Sequence, residues 1–174
     1  MTTTLDKATA QANLKVGRAR LWAFIDALPP AAFTAKHDPA GWRIQDHLIH
    51  LALWEKSFVA MLRREPRFPA MGIDEEWLKS LGNPPNTDDL INDVLFKAHR
   101  DKTTAEVLAT LRAEQAALDA ALDALSDEEL QRDFDYFQPH LAPSGASSKP
   151  TILRISGYTY EHYDEHIPWM QALL

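Results

Sequence analysis

The chain reads as an all-α protein, a four-helix bundle with short extra helices and a long loop before the last helix. Three observations predict this. Apolar residues recur at spacings of three and four along four long stretches. Capping residues and prolines punctuate those stretches where helices begin and stop. No alternating apolar–polar run reaches the length of a convincing strand, and no internal repeat is present.

The first helix carries Ala10, Leu14, Gly17, Leu21, Ile25 and Leu28 on one stripe. Gly17 is its weak point, because glycine is a poor helix former. Thr3 and Asp6 offer a capping start, and Pro29-Pro30 ends the helix. The second stripe is Ile44, Leu51, Trp54, Phe58, Met61 and Leu62, preceded by Pro39-Ala40-Gly41 and stopped by Pro66. Residues 67–86 hold three prolines and two glycines and read as a loop, followed by a short helix over 88–99. Thr103 to Glu106 is a capping box, opening a helix with Leu108, Leu111, Leu118, Leu122 and Leu125 on one face and Gln115 interrupting it. Ser126 to Glu129 is another capping box, for a short helical turn. Residues 132–150 are rich in Pro, Ser and Gly, with aromatics at Phe134, Tyr136 and Phe137, and read as a loop long enough to be functional. The last helix starts near Thr151 and runs to the end. Pro168 lies inside it, so a kink is expected just after His166.

A length of 174 residues predicts one domain, 1–174, with a core large enough to need no staples. There are no cysteines, so disulfides, thiolate ligands and a cysteine nucleophile are excluded. The formal charge is -7, from 25 acidic against 18 basic side chains, which argues against nucleic acid as a partner. No apolar stretch of about 18 residues exists to cross a membrane, and the N-terminus lacks a signal pattern, so a cytoplasmic protein is expected.

The chemistry concentrates in histidine. His162 and His166 are four residues apart, so on a helix both rings leave one face a turn apart. The wheel groups them with Ile155, Tyr158, Thr159, Trp169 and Leu173 on the side expected to face inward. A second pair, His47 and His50, lies near the apolar face of the second helix. His47 is the more central and His50 lies toward an edge, and periodicity does not choose between them. Buried imidazole needs partners for its nitrogens, and a shared metal satisfies one nitrogen of each ring. Three histidines with open coordination positions suit zinc, nickel, iron or cobalt. The bland alternative is a set of hydrogen-bonded core histidines. His37, His99 and His140 fall in loops or at helix ends and read as surface residues.

The second helix also carries Trp42, Asp46, His50 and Trp54 at four-residue steps. This resembles the DinB-like superfamily of four-helix bundles, whose signature is Trp, three residues, Asp, three residues, His, then an aromatic. The ending from Gly157 to Trp169 is similar to the last helix of the ClbS/DfsB branch. The resemblance covers essentially the whole chain. It implies a metal triad of His50, His162 and His166, with His47 as a core or supporting histidine.

Two functions of different class follow. The first is a metal-dependent enzyme, a hydrolase or thiol transferase acting on a small electrophilic or toxic molecule. Asp46, one turn before His50, is the leading candidate for a general base, against the plainer role of capping the first turn of its helix. Tyr158 is placed to donate a hydrogen bond to substrate. Trp54, Trp77, Phe134 and Tyr136 are candidate pocket walls, although residues of this kind are more often simple core. The second function is non-catalytic binding or sequestration of a small molecule. A helical interaction protein is a third reading, and a homodimer through a spare helical stripe is consistent with any of them.

Overall fold

A computed structural model describes residues 5–82, 84–139, 141 and 149–174. Among these the structure is helical with no strand. In chain order the helices are α1 (Lys7–Asp26), α2 (Ala32–Ala35), α3 (Ile44–Leu62), α4 (Arg67–Met71), α5 (Glu75–Ser80), α6 (Thr87–His99), α7 (Thr104–Asp123), α8 (Asp127–Leu130) and α9 (Phe134–Phe137). A 3-10 turn (Thr151–Arg154) then leads into α10 (Ile155–Tyr158) and α11 (Tyr160–Gln171). The bundle is made by α1, α3, α7 and α11, with α3 packed on both α7 and α11, and α1 on α11.

Local signals set most boundaries. Asp6 itself caps α1 by accepting from the Thr9 N–H at 2.7 Å; Thr3, its partner in the expected capping start, lies outside the described residues. Thr103 and Glu106 form the reciprocal capping box at the start of α7, and Ser126 and Glu129 do the same for α8. The α1 stripe is buried as expected at Ala10, Leu14, Gly17, Leu21 and Ile25. α3 goes beyond an amphipathic stripe: Lys56 is its only residue not buried. It is the central helix, wrapped on all sides, and that is why its histidines are enclosed.

Three expectations are corrected. Residues 67–86 are not a plain loop, for α4 and α5 lie there. Gly72 (φ 90°) ends α4 in the left-handed conformation, and Asp74 caps α5 through the Trp77 N–H at 2.7 Å. In the stretch 132–150, Asp133 accepts from the Tyr136 N–H and nucleates α9; the remainder at 140 and 142–148 lies outside the described residues. The last helix is interrupted at Thr159 (φ -139°, ψ -108°), not after His166, and α11 runs through Pro168 to Gln171. The Thr159 hydroxyl donates to the Ile155 carbonyl, so the side chain takes over an acceptor that the helix leaves free at the break.

The break at Thr159 accompanies a close approach of α11 to α1. A Cβ added at Gly17 would lie 2.3 Å from Tyr160 Cβ and 3.0 Å from Tyr160 Cα. The glycine that weakens α1 as a helix is thus what lets α11 lie against it.

Glu55 is an unusual member of the core. It is fully buried, and neither carboxyl oxygen is hydrogen-bonded within the protein. Burial pushes its pKa from the ordinary 4.5 up to about 8, with Arg18 opposing the shift. The folded state therefore keeps a proton that the unfolded chain has released, so this group's contribution to stability falls as pH rises from about 4.5 to about 8. The stability of the native chain minus that of Glu55→Gln is expected to drop by a few kcal/mol over that window and level off above it. Urea titrations across pH 5 to 9 (roughly the window set by linkage) check this, and a pH-independent difference contradicts it.

Candidate metal centre

Two elements distant in sequence build the site. α3 supplies His47 and His50, and α11 supplies His162 and His166. His50, His162 and His166 each offer a ring nitrogen, and these atoms all lie within 4.8 Å of one another. The His50 and His162 Nε2 atoms are 3.0 Å apart. His166 stacks on His50 with ring centroids 4.8 Å apart and lies edge-on to His162 at the same separation. His47 meets His166 through their Nδ1 atoms at 3.0 Å. Both upstream histidines therefore reach the same centre, which is why a helical wheel could not choose between them.

The rings are held neutral. Burial lowers the pKa of all four. For His162 it falls to about 4, and for His50 and His166 the neighbouring imidazoles depress it further. Neutral imidazole is the form that binds metal.

The donor set fits a divalent transition metal. Two nitrogens each about 2.0–2.1 Å from one zinc ion stand roughly 3.0–3.4 Å apart at ordinary coordination angles, which the 3.0 Å between His50 and His162 meets. The wider separations within the group reach at most 4.8 Å, so to share one ion the rings would have to close by about an ångström. The Nδ1 atoms of His50 and His162 are buried without a hydrogen-bond partner, and an ion held at the two Nε2 atoms would leave them so.

The triad lies in a cavity of about 720 Å³, within the size range of small-molecule sites. Trp42, Trp54, Tyr158 and Trp169 form aromatic walls, and Asp38, Asp88, Asp89, Glu161, Glu165 and Arg154 contribute charge. Trp42 stacks on Phe96 of α6, and Trp54 donates from Nε1 to Asn92 at 3.0 Å, so α6 braces one wall. Tyr158 stacks on Phe58 at 5.1 Å, with the Arg67 guanidinium over its ring at 5.4 Å. Arg67 comes from the stretch that read as loop.

Asp46 is placed differently from Tyr158. One oxygen accepts from the Arg43 backbone N–H at 2.8 Å and from Arg43 Nε at 2.7 Å, and the other from Arg43 Nη2 at 2.9 Å. It does not line the large cavity. The capping role describes this geometry, and the signal was present in the sequence as an Arg–Asp pair three residues apart. Trp77, Phe134 and Tyr136 also lie away from the cavity, packed against the core. Trp169 is 53% exposed, at the rim, while Tyr163 occupies the fully buried position on α11. His37 is exposed, His99 is half-buried, and His140 is outside the described residues. Asp38 is a site residue that the histidine pattern did not point to.

A helical bundle with imidazoles from its second and last long helices converging in one cavity defines a class of candidate metal-binding proteins. The chain belongs to the DinB superfamily, whose sequence profile matches residues 13–169. No curated protein matches it. Among solved structures, an uncharacterised protein from Escherichia coli UTI89 has a similar fold, with a TM-score of 0.70 and 14% identity over 99% of this chain and 95% of that one. Among the described residues no helix is long and apolar enough to cross a membrane.

Proposed function

We propose that this chain is a metal-dependent enzyme of the ClbS/DfsB branch, acting on a small electrophilic or toxic molecule by hydrolysis or thiol transfer. One observation carries the reading: three neutral imidazoles, His50, His162 and His166, meet inside a cavity large enough for a small molecule. A divalent metal such as zinc, nickel or iron would supply Lewis acidity there, toward the electrophile or toward a water or thiol.

The chain's own residues do the rest. The aromatic walls bury the apolar body of a substrate and exclude water from its reacting end. Tyr158 offers a phenol on the wall, a hydrogen-bond donor for a substrate oxygen. With Asp46 committed to Arg43, the carboxylates that face the cavity from α11, Glu161 and Glu165, are better placed to accept a proton.

The test incubates metal-loaded protein with electrophilic probes, with and without low-molecular-weight bacterial thiols. Catalytic turnover is expected, and His162→Ala should abolish it while helix content stays unchanged. Probe consumed only to one equivalent per chain would instead identify a sequestration protein.

A further inference from the structure

We infer that Asp38 and His47 are positioning residues: together they fix the tautomer of His166 so that its Nε2 lone pair faces the metal position. The inference rests on the three-histidine reading above and extends it to two residues outside the triad.

It begins in the loop before α3. Asp38 Oδ1 accepts from the Trp42 N–H at 2.9 Å, and the Asp38 N–H donates to the Trp42 carbonyl at 2.9 Å. The Gly41 N–H closes the turn on the Asp38 carbonyl, with Gly41 at φ 88°. Asp-Pro-Ala-Gly is well suited to such a turn. One carboxylate oxygen is thereby anchored, and the other, Oδ2, lies 3.4 Å from His47 Nε2. The alignment falls short of a hydrogen bond, but the contact is within ion-pair reach. A carboxylate at this range repels a nitrogen lone pair and attracts an N–H, so it places the His47 proton on Nε2.

The consequence passes along the chain of rings. With its proton on Nε2, His47 presents a lone pair at Nδ1. His166 Nδ1 lies 3.0 Å from that atom. Only one proton fits between two nitrogens, so His166 carries it and donates. His166 then has a bare Nε2, the form that ligates metal. His47 cannot easily turn away: it is 2% exposed, with Trp42 at 5.2 Å and Trp169 at 6.3 Å between ring centroids. The other two ligands lack this support, since Nδ1 of His50 and of His162 has no partner. Of the three ligands, His166 is the one whose orientation the protein sets through its far nitrogen.

The experiment is titration of the purified, metal-free chain with Co²⁺, read by visible absorption. The unmodified chain should bind one ion. His47→Phe should weaken binding about 10–100-fold, the range typical of lost outer partners. His47→Gln, whose amide oxygen can accept from His166 Nδ1, should recover affinity to within about threefold of the unmodified chain. Asp38→Ala, a loop change that spares the core, should weaken binding roughly tenfold. Unchanged affinity in both His47→Phe and Asp38→Ala would overturn the relay and leave the triad standing. His47→Gln binding no better than His47→Phe would also overturn it, since acceptor chemistry would then be irrelevant. Failure of the unmodified chain to take up cobalt would remove the triad reading itself, and the relay with it.

Discussion

Metal near one equivalent per chain is expected for protein purified without a nickel resin, and almost none for His166→Ala. Loss of an outer partner already costs about 10–100-fold in affinity, so loss of one of three ligands should exceed that. The remaining pair, His50 and His162, still share a 3.0 Å contact, but two imidazoles do not hold an ion against solvent competition. A second readout separates lost binding from lost folding. A ligand that binds only the folded state stabilises it by about 2.7 kcal/mol at a hundred times its dissociation constant. Added zinc should therefore raise the melting temperature of the native chain and leave that of His166→Ala unmoved. His37→Ala, an exposed histidine outside the cavity, should keep both the metal and the shift. Full metal content in His166→Ala would show that the ion sits elsewhere, and the proposed activity would lose its basis.

Much of the fold was legible because the deciding interactions are local. The caps at Asp6, Thr103 and Ser126 lie within three residues of the groups they satisfy. The stripe of α1 is continuous and that of α7 is interrupted by Gln115 alone, which is buried in register with it, so one period describes each. Legibility fails where tertiary packing decides. The interruption at Thr159 depends on a hydroxyl bond to Ile155 and on Tyr160 lying against α1, neither of which shows in hydrophobic period. The inward face of the last helix is as expected at Ile155, Thr159, His166 and Leu173, and fails at Trp169 for a related reason. A wheel centred on the histidines carries Trp169 inward, whereas the buried positions are Tyr163, His166 and Met170. His162 lies at the edge of that face, where a ligand can be reached from the cavity.

The site follows the same division. The histidine pairs were visible as spacing, and the resemblance selected His50 over His47. What spacing did not reveal is that His47 touches the same centre from the other side. Asp38 escaped notice because its link to His47 runs through a turn, not along a helix face. Asp46 could have been assigned from its neighbour, since Arg43 lies one turn before it and takes both of its oxygens.

Gly17→Ala is expected to destabilise the protein by up to about 2 kcal/mol, although alanine is the better helix former. Propensity alone favours the change by roughly 1 kcal/mol. Against this stands a clash with atoms that cannot swing aside: Tyr160 Cβ at 2.3 Å and Tyr160 Cα at 3.0 Å from the new methyl. Relief requires moving α11 away from α1, and overpacking of this kind costs about 1–3 kcal/mol or more, enough to outweigh the propensity gain. In a chain of this length each kcal/mol moves the melting temperature by about 2–4 °C, so calorimetry resolves the effect. Gly157→Ala is the matched control. Gly157 is also helical, nothing lies within 4 Å of its added Cβ, and the change should be neutral or stabilising. The displacement has a consequence for the centre as well. Tyr160 precedes His162 by two residues on α11, so a shift that relieves the clash carries His162 and His166 with it. Zinc affinity should fall in Gly17→Ala even though no ligand is altered. A variant that melts at or above the native temperature and binds zinc normally would mean that α1 does not set the position of α11, and the glycine would need another explanation.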